Sequence, residues 1–327
     1  MSGSAADRLA RLADGYLVTQ LLHTAVVLGV PDALAAGPRS AADLAGELGA
    51  LPGPLHRVLR GLAAEEVLEE TGDGRFGLTD TGRLLRTGVP GSLRGPVAVR
   101  GGVYYGAAAG LPAAVRDGGV AFEQVHGRPF FDRLAEQPEQ LAAFQASMDS
   151  RSAREAAAVV ASLDLTGLGS VVDVGGGRGT LLRAVRERLP DADVVLFDLP
   201  EVVAGSDLPA VGGDFFTGVP AGADAYLLSR VLHDWDDDAA LRVLRACRAA
   251  MRPDSVLHVV EAVLPERATD DPAAVRMDLH VLLLLRGRER TAAEYGRLLA
   301  DAGLRLARDV PTDAGVHVLE ARPAAGS

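Results

Sequence analysis

The chain has 327 residues, of which 48% are hydrophobic and 24% charged, and its formal net charge is -11. This composition is typical of a globular protein, and the acidic balance disfavours a nucleic-acid-binding surface. Its single cysteine, Cys247, excludes an internal disulfide and a cysteine-based zinc site. The chain lacks a signal-peptide pattern, and it has no apolar run of the roughly 18 residues that span a bilayer. We therefore expect a cytoplasmic protein without a membrane partner.

The N-terminal part predicts a small helical domain that ends in a β-hairpin. Apolar residues recur there at helical spacing, and turn residues separate the segments. The predicted helices cover 6–28, 41–48 with Ser40 as N-cap, and a segment that Pro54 opens. The sequence Gly72-Asp73-Gly74 then interrupts an apolar stretch over 67–78, which indicates a hairpin. Three short helices followed by a hairpin describe a winged helix.

A winged helix suggests either DNA binding or a packing and dimerisation module. The helix that would read DNA carries only Arg57 and Arg60, and the acidic chain would repel phosphates. We therefore predict a dimerisation domain over 1–97 and a catalytic domain over 98–327. A ligand-sensing, DNA-binding regulator remains an alternative, and a gel-shift that persists at moderate salt would support it.

The C-terminal part alternates apolar strands with helices. After a helical stretch over 133–163, strands are predicted at 171–174, 194–197, 225–228 and 256–260. This alternation favours an α/β fold, a Rossmann-like doubly wound domain with a mostly parallel sheet.

The first of these strands runs into a glycine-rich loop and then into a helix. Gly175, Gly177 and Gly179 allow tight turns and close approach of a ligand to the main chain. Their G-x-G-x-G register differs from the G-x-G-x-x-G of nicotinamide-binding folds, which makes a nicotinamide oxidoreductase the weaker alternative. Asp173, at the end of the strand, could accept hydrogen bonds from a cationic amino-acid head group.

Two further acids suit an adenosine ligand. Asp198 follows the second strand, about 20 residues beyond the glycine loop, where an acid binds ribose hydroxyls in nucleotide folds. Asp214 precedes Phe215, and this pair suits adenine because the carboxylate accepts from the exocyclic amine while the ring stacks on the base. A turn aspartate and a core phenylalanine are the plainer interpretation of the second pair.

A histidine lies between the third strand, which ends near Ser229, and a helix for which Asp237 is the predicted N-cap. His233 therefore lies at the carboxyl edge of the sheet, where ligands bind in open α/β folds. Trp235, the only tryptophan, is expected to be mainly a packing residue.

Taken together, these motifs resemble those of the plant caffeic-acid-type and bacterial antibiotic-pathway small-molecule O-methyltransferases. The resemblance covers nearly the whole chain. The motifs that carry it are Gly77-Leu78-Thr79-Asp80-Thr81-Gly82, Asp173-Val174-Gly175-Gly176-Gly177, Gly213-Asp214-Phe215-Phe216, Leu232-His233-Asp234-Trp235 and Arg288-Glu289-Arg290-Thr291.

The resemblance implies a homodimer that uses S-adenosyl-L-methionine to methylate a hydroxyl of a small aromatic molecule. It implies that His233 is the general base and that Glu261 or Glu289 orients it, without choosing between the two acids. The implied cofactor contacts are Asp173, Gly175, Gly177, Asp198, Leu199, Asp214, Phe215, Ser229 and Arg230, and the implied substrate contacts are Phe144, Met148, Asp234 and Trp235.

Three positions depart from the family pattern. Ser229 stands where plant relatives have Lys, Arg286 where relatives more often have Gly, and His280 where an apolar residue is usual. The last two changes are expected to reshape the acceptor pocket. No metal is expected, because the acid clusters lack ligand-like spacing. A related protein that runs a non-methylating reaction such as hydroxylation is the second enzymatic alternative, which labelled cofactor and phenolic acceptors would test.

Overall fold

A computed structural model describes residues 4–324, which form two compact units. The first contains residues 4–109 and 131–150, and the second contains residues 110–130 and 151–324. The boundary predicted after residue 97 falls inside the helix Arg94–Val99. The first unit thus continues beyond that helix and takes in a later helical segment.

Regular structure covers most of the described residues. The helices are α1 Ala5–Ala13, α2 Gly15–Leu28, α3 Val30–Ala33, α4 Ala41–Leu48, α5 Pro52–Ala64, α6 Asp80–Arg83, α7 Arg94–Val99, α8 Tyr105–Ala108, α9 Leu111–Asp117, α10 Ala121–His126, α11 Phe130–Ala135, α12 Pro138–Ser162, α13 Thr180–Arg188, α14 Pro200–Val203, α15 Asp237–Ala250, α16 Pro272–Leu284 and α17 Ala292–Asp301. The strands are β1 Arg39–Ser40, β2 Leu68–Glu70, β3 Arg75–Leu78, β4 Ser170–Val174, β5 Asp193–Asp198, β6 Ala210–Gly212, β7 Ala225–Ser229, β8 Val256–Glu261, β9 Val263–Leu264, β10 Arg290–Thr291, β11 Leu304–Pro311 and β12 His317–Pro323. Among these helices, none is both long and apolar enough to cross a bilayer.

The first unit contains the predicted helices and hairpin. Ser40 caps α4 by accepting the Asp43 N–H, which confirms it as the N-cap. The helix predicted over 6–28 is two helices, because the chain turns at Asp14. Strands β2 and β3 pair antiparallel, β1 pairs with β3, and the hydrophobic core of the unit includes Leu44 and Phe76.

Helix α1 buries none of its residues in the isolated chain. Leu9 and Leu12 are 69% and 68% exposed, and Tyr16 and Leu17 on α2 are about half exposed. Because leucines at this spacing lie on one helix face, the start of the first unit presents an uncovered apolar surface.

The second unit is built on a seven-stranded sheet of order β11-β12-β8-β7-β4-β5-β6. Strands β4 to β8 pair in parallel, and the four strands predicted from the sequence are confirmed within one residue at each end. The C-terminal hairpin of β11 and β12 adds two antiparallel strands that the sequence analysis did not predict.

Alternate residues of the parallel strands pack on opposite faces of the sheet. Val172 and Val174 of β4 pack with α15 and α17, whereas Val171 packs with α12 and α13. Strands covered on both faces appear in the sequence as continuous apolar runs, which is why their positions could be predicted.

The strand order reverses at β4, since β5 lies on one side of it and β7 on the other. A crevice forms where the connections from two such strands diverge, and ligands bind there in open α/β sheets. The residues that follow β4, β5, β7 and β8 therefore share one edge of the sheet.

Candidate active site

The loop after β4 has the backbone form that its glycines predict. Gly175 and Gly177 have φ angles of 69° and 56°, in the left-handed region that favours glycine. The N–H of Gly177 donates to Oδ2 of Asp198, 2.8 Å away, and the N–H of Leu199 donates to Oδ1 of Asp198 at 2.7 Å. Asp198 thus ties the loops after β4 and β5 together, and a carboxylate with two such bonds still has lone pairs for ribose hydroxyls.

Asp173 lies at the end of β4 and is almost completely buried. Its Oδ1 has no hydrogen-bond partner among the described residues. Burial, together with the charge of Asp198, raises the pKa of Asp173 to about 7. A buried acid without a partner suits a cationic group brought by a ligand, and the amino group of S-adenosyl-L-methionine fits that requirement.

Asp214 and Phe215 lie in the turn after β6. Oδ1 of Asp214 accepts the N–H of Phe216 at 2.8 Å, as a turn aspartate does. Phe215 packs edge-on against Phe216, and Trp235 packs edge-on against both rings. The contact of Asp214 and Phe215 with adenine stays a prediction, and Trp235 has the packing role that its type suggested.

His233 lies in the short 3-10 turn after β7 and is 5% exposed. Its Nδ1 is 2.8 Å from Oε1 of Glu289 and 3.8 Å from Oε2 of Glu261. Its Nε2 is 3.2 Å from Oδ1 of Asp234. In the tautomer with its proton on Nδ1, the ring donates that N–H to Glu289 and carries its lone pair on Nε2.

The two glutamates have different tasks in this geometry. One oxygen of Glu261 accepts the backbone N–H groups of Val231 and Leu232 at 3.0 and 2.8 Å, and lies 3.4 Å from the N–H of His233. Glu289 instead contacts the imidazole ring itself. Glu261 therefore fixes the backbone of the turn, whereas Glu289 fixes the ring.

The surrounding carboxylates also determine which protonation state of His233 is favoured. Burial lowers the pKa of His233, but the charges of Glu261, Asp234 and Glu289 outweigh it and raise that pKa above its usual range. Burial raises the pKa of Glu261, and the charge of Glu289 adds to this effect. The imidazolium form of His233 is therefore well stabilised at this site.

Arg290 and Gly287 also contact the turn. The sequence analysis gave neither a role, although Arg290 belongs to the quoted motif Arg288-Glu289-Arg290-Thr291. The buried guanidinium of Arg290 donates to the carbonyls of Leu232 and Trp235 at 2.9 and 2.8 Å. A Cβ on Gly287 would lie 2.0 Å from the carbonyl oxygen of His233, so only glycine fits there. The resemblance had pointed to the surrounding segment through Glu289, which is the signal that could have found both residues.

Arg230 follows Ser229, which ends β7. Its guanidinium is 2.9 Å from Glu155 and 3.5 Å from Glu289. The guanidinium is thus engaged with these two carboxylates, and the predicted cofactor contact of Arg230 stays a prediction.

The remaining predicted residues belong to both units. Phe144 and Met148 belong to the first unit, on the part of α12 before residue 151, and Phe144 packs edge-on against Phe131. Arg286 is paired with Glu123 of α10 at 2.9 Å, and His280 lies on α16. Their roles in binding the acceptor stay predictions.

The absence of a metal also stays a prediction. Ligand atoms of His233, Glu261 and Glu289 lie within 4.8 Å of one another, a spacing that a metal ion could use. Glu289 contacts the ring of His233 and Glu261 accepts backbone N–H groups, whereas Oε2 of each glutamate is buried and has no hydrogen-bond partner among the described residues.

Comparison with family models matches residues 109–305 to an O-methyltransferase domain and residues 10–88 to an O-methyltransferase dimerisation domain. The chain is 40% identical to the phenazine O-methyltransferase PhzM of Lysobacter antibioticus, covering 96% of this chain and 95% of the relative. It is 39% identical to the O-demethylpuromycin-O-methyltransferase of Streptomyces alboniger, covering 98% and 89%.

A solved structure of similar fold is an O-methyltransferase from neocarzinostatin biosynthesis, in complex with S-adenosylmethionine and 2-hydroxy-5-methyl naphthoic acid. The two folds superpose with a TM-score of 0.82 at 33% identity, covering 94% of this chain and 96% of that one.

The close contact at Gly287 generates a prediction. Gly287→Ala is expected to lower the free energy of unfolding by about 1–3 kcal/mol, because the new Cβ meets backbone atoms that cannot move aside. Urea unfolding measures this change. Gly296→Ala is the matched control, since its Cβ would meet only Leu306, at 3.9 Å. Equal stability of both variants would contradict the close contact.

Proposed function

The chain belongs to the O-methyltransferase family, and from this premise we propose that it transfers the methyl group of S-adenosyl-L-methionine to a hydroxyl of a small aromatic natural-product intermediate. The observation that carries the proposal is the 2.8 Å contact between Nδ1 of His233 and Glu289, which orients the ring so that Nε2 is the nitrogen available to an acceptor once it is deprotonated. The hydroxylated naphthoic acid bound by the solved relative supports an aromatic acceptor.

S-adenosyl-L-methionine supplies an electrophilic methyl group on a positively charged sulfur. Asp173, Asp198 and the backbone of Gly175 and Gly177 are the groups that would hold it, because they combine an unpartnered buried acid, a carboxylate and a tight loop at the carboxyl edge of the sheet. Holding the acceptor oxygen in line with that methyl group contributes to the rate by orientation.

The acceptor needs a base because a neutral phenol, with a pKa near about 10, is a poor nucleophile. Nε2 of His233 takes the hydroxyl proton as the oxygen attacks. Glu289 keeps the ring in the required tautomer and stabilises the imidazolium that forms, while Glu261 keeps the turn in place. Asp234, 3.2 Å from Nε2, is positioned to contact the acceptor.

His233→Gln is expected to lower kcat by a factor of about 10² to 10⁴, because the general base is lost. The dissociation constant for S-adenosyl-L-homocysteine should stay within a factor of about three, since the proposed cofactor contacts are unchanged. Mass detection of product and titration calorimetry measure the two quantities. His56→Gln, on α5 of the first unit, is the control. Full turnover by His233→Gln would remove His233 from the mechanism.

Asp198→Ala is expected to weaken cofactor binding by roughly 10- to 100-fold, the loss typical of a hydrogen bond to a charged group. Titration calorimetry with S-adenosyl-L-homocysteine measures it. Asp193→Ala is the matched control, because Asp193 is an exposed residue at the opposite end of the same strand. Indistinguishable dissociation constants for the two variants would refute the role of Asp198.

We also propose that the protein is a homodimer and that the exposed apolar face of α1 contributes to the interface. The dimerisation domain matched over residues 10–88 and the exposure of Leu9 and Leu12 support this. The double substitution Leu9→Glu, Leu12→Glu is expected to shift the mass measured by light scattering from dimer to monomer. Val115 is equally exposed but lies outside the dimerisation domain, so Val115→Glu should leave the mass unchanged. A dimeric double variant would place the interface elsewhere, and a monomeric wild-type protein would overturn the dimer.

A further inference from the structure

Arg230 has a backbone conformation that is unusual for a long side chain. Its φ angle is 57°, in the left-handed region, and its N–H donates to the carbonyl of Val260 at 3.0 Å. Such residues persist only where surrounding contacts compensate the strain, and they are frequent at functional sites. The side chain of Arg230 is only 12% exposed, so its buried contacts are those that can compensate this backbone strain.

The guanidinium of Arg230 lies between two carboxylates. Nη2 is 2.9 Å from Oε1 of Glu155, and Nε is 3.4 Å from its Oε2. Nη1 is 3.5 Å from Oε1 of Glu289, the same oxygen that lies 2.8 Å from Nδ1 of His233. A continuous series of charged contacts therefore runs from Glu155 on α12 to the imidazole.

This series balances an excess of acids. The groups that face His233 and Glu289 come from several elements. They are the carboxylates and cations of Arg151, Glu155, Arg230, Asp234, Glu261, Asp278 and Arg290, and the neutral hydroxyl of Tyr295. Arg230 is the cation that contacts Glu289 directly. Without its charge, Glu289 would lose a cationic contact, and the proton shared between Glu289 and the imidazole would be held more tightly.

We infer that Glu155 and Arg230 are positioning residues for the general base, because their contacts hold the carboxylate of Glu289 against Nδ1 of His233. The inference rests on the proposed function for its catalytic consequence. Arg230 supplies the positive charge that Glu289 needs, and Glu155 limits how strongly that charge acts on the imidazole. The two substitutions that neutralise them must therefore shift the titration of His233 in opposite directions.

The titration of His233 can be measured without any acceptor. In ¹⁵N-histidine-labelled protein free of cofactor, the ring signals of His233 are assigned by their loss in His233→Gln and followed against pH. Arg230→Gln is expected to raise the pKa of His233 by about one unit, because a positive charge within about 6 Å is removed. Glu155→Gln is expected to lower it by about half a unit, since a more distant negative charge is removed.

Two further variants separate charge from structure. Arg230→Lys keeps the charge without the planar fork and should restore most of the wild-type pKa. Arg60→Gln breaks an exposed ion pair with Glu70 in the other unit and should leave the pKa of His233 unchanged. Shifts of the same sign in Arg230→Gln and Glu155→Gln, or no shift in either, would overturn the inference. If Arg230→Gln does not fold, an unshifted Glu155→Gln overturns it alone.

The pH profile of methyl transfer tests the catalytic consequence. The acidic limb of kcat/KM reports the base in the free enzyme, so it should move with the NMR value, to higher pH in Arg230→Gln and to lower pH in Glu155→Gln. At pH 7 we expect Arg230→Gln to lose about tenfold in kcat with a smaller change in KM. If the NMR shifts occur while the wild-type protein methylates no phenolic acceptor, the positioning role stands and the proposed function fails. If the wild-type protein is active and the profiles do not move, the inference fails alone.

Discussion

The contact between Nδ1 of His233 and Glu289 is the interaction on which the rest of the site depends. Both groups are almost completely buried, and a carboxylate taken out of water is costly unless it is paired and hydrogen-bonded. The surrounding side chains meet that requirement at Oε1 of Glu289, whereas its Oε2 has no hydrogen-bond partner among the described residues. Arg230 contacts Glu289 from one direction, and Asp278 accepts the backbone N–H of Glu289 at 2.9 Å. The contacts of Glu289 therefore stabilise the position of the His233 ring indirectly, in addition to the contacts that the ring makes itself.

The sheet brings these side chains together from distant parts of the sequence. Glu261 ends β8, and His233 follows β7, and because neighbouring parallel strands end at the same edge, the carboxylate reaches the turn. Strand β10 pairs with β9 just beyond Glu261, which returns the chain to the same place and delivers Glu289. The proximity of His233, Glu261 and Glu289 is thus a consequence of strand order rather than of closeness in the sequence.

Much of the fold follows from local patterns in the sequence. Continuous apolar runs indicate four of the five parallel strands, the Gly72-Asp73-Gly74 turn indicates the hairpin, and Ser40 is confirmed as an N-cap. The other predicted cap was wrong by one residue. Asp236 caps α15 by accepting the Ala239 N–H, whereas Asp237 pairs with Arg288 and Arg290. The run of three acids, Asp236 to Asp238, does not by itself show which of them forms an ion pair with a distant arginine.

The residues that sequence reasoning missed act through long-range contacts. Gly287 matters because the backbone of His233 lies 2.0 Å from where its Cβ would be, and no local motif shows that approach. Glu155 is one of several polar residues in a long helix, and its role depends on its contact with Arg230, which is 75 positions away in the sequence. The resemblance supplied the pair Glu261 and Glu289 but could not separate their tasks, because the distinction rests on which of them reaches the ring.

The acids at this edge also explain why one site suits both a cationic donor and a histidine base. Asp173 and Asp198 end β4 and β5, and Asp234, Glu261 and Glu289 surround the imidazole, so the carboxyl edge of the sheet carries an excess of negative charge. That charge favours a sulfonium and an imidazolium alike, since both are cations in a poorly solvated place. A bound S-adenosyl-L-methionine would supply the sulfonium, and in the proposed function His233 would hold the acceptor proton. Both proposed roles, donor binding and proton acceptance, therefore depend on one set of carboxylates.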